Sequence, residues 1–109
     1  MIVANFKKRV VGDTVKGIIV PFNIPVSELS LTFQIRDQYT DKLLFEASTG
    51  SGIVDYDANS ALIERFETDD FGAGDHNYEI KVEHADGWDK VVCRGKFPLL
   101  KQIIKQYVR

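Results

Sequence analysis

Few residues in this 109-residue chain have the type and spacing to do chemistry. Asp55-Tyr56-Asp57-Ala58-Asn59 alternates oxygen ligands as a calcium loop does. Such a loop needs glycine at its sixth position for the sharp turn and glutamate at its twelfth to close on the cation. Those positions hold Ser60 and Phe66, so an Asx-rich turn is the stronger reading. Asp69, Asp70 and Asp75 could add ligands from another loop, but nothing in the sequence brings them there. His76 and His84 share a parity on one predicted strand, yet lie roughly 26 Å apart if it runs straight. They cannot act on one substrate, and each reads as a surface residue near a loop rather than a ligand. Ser48-Thr49-Gly50-Ser51-Gly52 has the composition of a phosphate cradle without the following lysine or helix start that would make it one. Cys93 has Arg94 beside it, which can lower a thiol pKa, but no local histidine, so a buried structural thiol is expected. The residues point to a protein that is not an enzyme and holds no metal or cofactor.

The elements that position these residues are strands. Tyr78, Ile80 and Val82 alternate with Glu79, Lys81 and Glu83, and a second run ends at Phe97. Period-two alternation sends one set of side chains to a core and the other to water. Asp86-Gly87 between the runs predicts a tight type I′ hairpin, which needs positive φ at both central residues. Leu31–Arg36 alternates as cleanly. Asp37–Asp41 is turn-like, with Leu43, Phe45 and Ala47 expected inward on the next strand. Further short strands are expected at 15–22, 53–56 and 61–66, the first demoted to an edge or bent strand by Pro21 and Pro25. Residues 67–75 read as an exposed connection. Short strands at regular spacing, with no helical pattern between them, predict an antiparallel β-sandwich of about seven strands over residues 1–97.

The C-terminus changes period. Leu99, Leu100, Ile103, Ile104, Tyr107 and Val108 fall at helical spacing, with Lys101, Gln102, Lys105 and Gln106 opposite. Pro98 suits a first helical residue, and Lys105 and Arg109 suit the negative end of the helix dipole. A short amphipathic helix over 98–109 is therefore expected. It is too short to be helical alone, so it must dock on its own domain or on a neighbouring subunit. Leu100, Ile103, Ile104 and Tyr107 are the expected anchors.

Trp88, Tyr39, Tyr56 and Phe71 fall at predicted turns or loop edges, where aromatics can stack on sugars or bases. Trp88 could equally fold back over the core edge. Residues 37–89 carry fourteen acidic groups and three basic ones, whereas the flanks carry two acidic and eleven basic. If the fold segregates them, copies could stack positive face to negative face. Solvated charges on strand faces are the plainer expectation. The acidic middle opposes a nucleic-acid role, and Lys7-Lys8-Arg9 alone is too small to revive one. No apolar run approaches the roughly 20 residues needed to span a bilayer. The N-terminus has its charges after its apolar patch, the wrong order for a signal peptide. One cysteine excludes an intrachain disulfide and suits a reducing cytoplasm.

The order of several landmarks adds a resemblance. These are Gly12-Asp13-Thr14, Phe33-Gln-Ile-Arg-Asp37, Leu43-Leu-Phe-Glu-Ala-Ser-Thr-Gly50, Gly74-Asp75, Tyr78-Glu-Ile-Lys-Val82, Asp86-Gly87 and Arg94-Gly-Lys-Phe97. In this order the chain resembles small immunoglobulin-like structural proteins of tailed phages and prophages, and is similar to the N-terminal domain of phage baseplate upper proteins. The resemblance covers about residues 11–97 and implies an immunoglobulin-like sandwich with no catalytic residues. It also implies a host cytoplasm during assembly and then a virion, with other virion proteins or copies of itself as partners. The terminal helix and the irregular Ile18–Phe22 stretch depart from the family. The expected function is a non-enzymatic tail- or baseplate-associated adaptor whose partner contacts include Leu100, Ile103, Ile104, Tyr107 and Trp88. The alternative is a glycan- or host-surface-binding module using Trp88, Tyr56 and Phe71.

Overall fold

The computed structural model describes residues 2–101, which are all β apart from one 3-10 turn at Val26–Glu28. The strands are β1 (Ile2–Val3), β2 (Arg9–Val10), β3 (Thr14–Val15), β4 (Ile18–Pro21), β5 (Leu29–Arg36), β6 (Leu43–Thr49), β7 (Gly52–Asp57), β8 (Ser60–Ile63), β9 (Phe66–Glu67), β10 (Gly74–His84) and β11 (Asp89–Leu100). Nine of them form one mixed, curled sheet in the order β1-β11-β10-β5-β6-β7-β8-β4, with β2 also on β11, and β3 and β9 form a separate two-stranded sheet. The pairs β1–β11, β2–β11 and β6–β7 are parallel and the rest antiparallel.

Alternation builds the core as expected. On β5, Leu29, Leu31, Phe33 and Ile35 are buried while Ser30 and its parity mates face outward. On β10, Tyr78, Ile80 and Val82 do the same. The curl brings Phe97 of β11 and Phe66 of β9 against these rows, and Phe66 stacks on Phe45 at 4.3 Å between ring centres. Each large side chain so buried contributes about 1.5–3 kcal/mol.

Four local expectations are overturned. The β10–β11 turn is not type I′, because Gly87 has positive φ and Asp86 does not. Gly87 N–H donates to the His84 carbonyl and His84 N–H to that of Trp88, the pattern of a type I turn closed by a left-handed glycine. Leu43 is 41% exposed rather than inward, since a register shift between Ile35 and Arg36 breaks the pairing phase there. The 67–75 connection is anchored, with Thr68 and Phe71 buried. The Thr68 hydroxyl donates to the Asp13 carbonyl and accepts from Gly12 N–H. His76 is buried, not a surface residue.

The expected helix at 98–109 is corrected at its first three residues. Pro98, Leu99 and Leu100 belong to β11: Leu99 pairs with Gly74 and Arg9, and Leu100 with Val10. Two-sided pairing and burial of Leu99 override the helical spacing that Leu99-Leu100 suggested. Residues 102–109, with Ile103, Ile104 and Tyr107, lie outside the described residues.

The N-terminal segment runs parallel to β11 along its outer edge from Cys93 to Leu100. Ala4, Phe6 and Val11 N–H groups donate to the Arg94, Lys96 and Leu100 carbonyls. Even-numbered residues of β11 thus face this segment. Pro98 falls on the same side with no N–H to give, and the pairing is broken there, between β1 and β2. Phe6 fills the gap from within, edge-on to Tyr78 and Phe97 at 4.7 and 5.1 Å.

Candidate functional site

Four titratable side chains, His76, Tyr78, Asp37 and Asp57, spend their hydrogen bonds on the backbone of the fold. Gln38 N–H donates to His76 Nδ1 at 3.3 Å, so Nε2 carries the proton and donates to the Gly72 carbonyl at 2.9 Å. A buried, neutral imidazole thereby ties the β5–β6 turn to the 72–76 segment. The Tyr78 hydroxyl donates to the Ala4 carbonyl at 2.6 Å and lies 3.2 Å from Cys93 Sγ. Burial, with Cys93 beside it, pushes the Tyr78 phenol well above its usual range. Asp37 accepts from Thr40 and Tyr39 N–H, and these bonds, Thr40 foremost, hold its carboxyl below the usual value. Asp57 caps Asn59 N–H in an Asx turn. Among the described residues no three His, Cys, Asp or Glu side chains converge as metal ligands, and no helix is long and apolar enough to cross a membrane.

The aromatics proposed as ligand platforms are dispersed. Phe71 is in the core. Trp88 is 38% exposed, but the His84 ring stacks on it at 4.9 Å with an interplanar angle of 11°. Lys90 Nζ sits 5.4 Å from the indole centre. His84 in turn lies 3.2 Å from Glu28 and 3.5 Å from Asp86 carboxylate oxygens. Leu100 is 50% exposed at the far end of β11, twelve residues and roughly 40 Å along the strand from Trp88. These two cannot belong to one compact contact.

The surface that does converge is apolar and lies where the two ends of the curled sheet meet. Ile2 of β1, with Val92 and Cys93 of β11, faces Ile19 and Val20 of β4 and Phe22 across a cleft of about 470 Å³. Ile2 and Ile19 on its rims are 66 and 49% exposed. Both flanking strands are sheet edges. On β4, Phe22 N–H donates to the Asn59 carbonyl, which places Ile18 and Val20 in the hydrogen-bonded positions and turns Ile19 and Pro21 outward. Pro21 offers no N–H there, which blunts the edge against indiscriminate strand pairing.

This cleft was not singled out in the sequence. Its signal was the unalternating run Ile18-Ile19-Val20, since apolar residues on both parities mean a strand with two apolar faces. Pairing of Ile2 and Val3 with Cys93 and Arg94 left no local signal at all.

Charge is mixed rather than segregated on the side of the basic N-terminal segment. Thr14 pairs with Glu67 in the β3–β9 ladder and its hydroxyl donates to the Glu67 carboxylate at 2.6 Å. The acidic 67–70 connection thus lies against the segment carrying Lys7, Lys8, Arg9 and Lys16.

Comparison with protein-family models, with curated proteins and with solved structures found no match.

Proposed function

We propose that this chain is a non-enzymatic structural or adaptor protein that works by assembling with copies of itself. The observation that carries the reading is the apolar cleft between β1 and β4, whose rim residues Ile2 and Ile19 stand in water at an open seam of the sheet. Exposed apolar surface at a concavity marks an interaction site more reliably than scattered apolar residues do. The titratable groups add support, because His76, Tyr78, Asp37 and Asp57 each spend their hydrogen bonds on backbone.

The reading extends to an immunoglobulin-like sandwich. Its support is the strand order: β11-β10-β5-β6 follows the G-F-C-C′ order of one layer and β7-β8-β4 the D-E-B order of the other. Placement in a phage or prophage particle rests on the sequence landmarks alone. The test of the assembly reading is sedimentation velocity of the full chain from micromolar to millimolar concentration. A defined oligomer is expected, and a monomer throughout overturns self-assembly.

A further inference from the structure

We propose that the β1–β4 cleft receives the apolar segment 103–108 of a second copy of this chain, so that copies join tail into cleft. The inference rests on the assembly reading above and names its contact. The cleft is lined by Ile2, Ile19, Val20, Phe22, Val92 and Cys93, so its occupant must be apolar. Segment 103–108 offers Ile103, Ile104, Tyr107 and Val108 within six residues. It begins three residues past the exposed Leu100.

Reach decides between the two copies. The cleft lies at the level of Cys93, seven residues back along β11 from Leu100, roughly 23 Å. A chain extends by at most about 3.5 Å per residue. Ile103 and Ile104, three and four residues past Leu100, therefore reach at most about 14 Å and fall short of their own cleft. Only Tyr107 and Val108, seven and eight residues past Leu100, attain that distance, and only on a nearly straight return, so the four apolar residues of the segment cannot enter their own cleft together. A second copy meets no such limit. Each such contact engages two different surfaces, the segment of one copy and the cleft of the other, so copies can close as a reciprocal pair or extend into a ring or chain.

That asymmetry gives a decisive test on the full chain. Ile19→Lys blocks the cleft at a rim residue on an edge strand, and Ile104→Lys blocks the segment. Thermal melting first checks that each variant keeps the parent transition. Each variant alone is expected to sediment as a monomer, with association weakened at least tenfold. Mixed in equal amounts they should form a one-to-one dimer and nothing larger, because the Ile19→Lys copy still has its segment and the Ile104→Lys copy its cleft. Association of Ile104→Lys undiminished from the parent would overturn the proposal while leaving self-assembly standing. Two monomeric variants that fail to pair when mixed would overturn it as well. A parent chain that is itself monomeric would remove the assembly reading and this contact together.

Discussion

Gly95 shows how one missing atom positions the N-terminal segment. A Cβ there would sit 1.9 Å from the Ala4 carbonyl oxygen and 2.7 Å from its carbon, so no other residue lets that segment lie against β11. Gly95→Ala must therefore push Ala4 away and strand the Tyr78 hydroxyl that donates to it. A loss of about 1–3 kcal/mol is expected, read from urea melts. An unchanged midpoint would mean that the segment is not seated as described. The Trp88–His84 stack makes a second residue-scale prediction. The imidazole covers one face of the indole, so His84→Ala should open that face to water and move the emission of this single tryptophan to longer wavelength. An emission maximum that does not move would mean that the two rings are not stacked.

Elements were legible where their pairing is local and their phase unbroken. β5 and β10 alternate over eight and eleven residues, and the hairpin joining β10 to β11 announces itself through Gly87. What could not be read was pairing made at long range. Ile2 and Val3 pair with residues about ninety positions away, and a two-residue strand has no period to detect. Leu99 and Leu100 were misread because two adjacent leucines fit a helix stripe as well as a strand end, and only Gly74, Arg9 and Val10 beside them decide it. The two leucines should accordingly respond unequally. Leu99→Ala, in the core, is expected to cost about 2–5 kcal/mol, and Leu100→Ala, half exposed, well under half of that. Equal costs in denaturant melts would contradict the strand assignment. The candidate site fared worse than the fold, because the cleft joins the first and last strands of the sheet order. At the other end of β5, the Asp37 turn carries a pH signature. Its carboxyl is held below the ordinary value by Thr40 and Tyr39 N–H. Its contribution is present above the unfolded-state pKa and is lost as pH falls through the lower folded value. Asp37→Ala should flatten the acid limb of a stability–pH curve in that window, and an unaltered limb would place acid sensitivity elsewhere.

At the scale of the molecule the question is which force brings copies together. The lopsided charge of the sequence suggested stacking of a positive face on a negative one. Folding places Glu67 against Thr14 and the 67–70 acids beside the basic N-terminal segment, so that side of the molecule presents both signs. Among the described residues the lysine–carboxylate pair is Lys81–Asp89, with both side chains exposed, and such a pair is worth about 0–1 kcal/mol. The contiguous unpaired surface is instead the apolar cleft, and burial of apolar area does not weaken with ionic strength. Contacts between exposed charges are screened within about 10 Å at 0.1 M salt. The two forces therefore predict opposite titrations. Sedimentation of the full chain in rising sodium chloride should show association that holds or strengthens, whereas a charge-driven contact would weaken tenfold or more. Salt-sensitive association would return the contact to the charged faces and leave the cleft without a role in it.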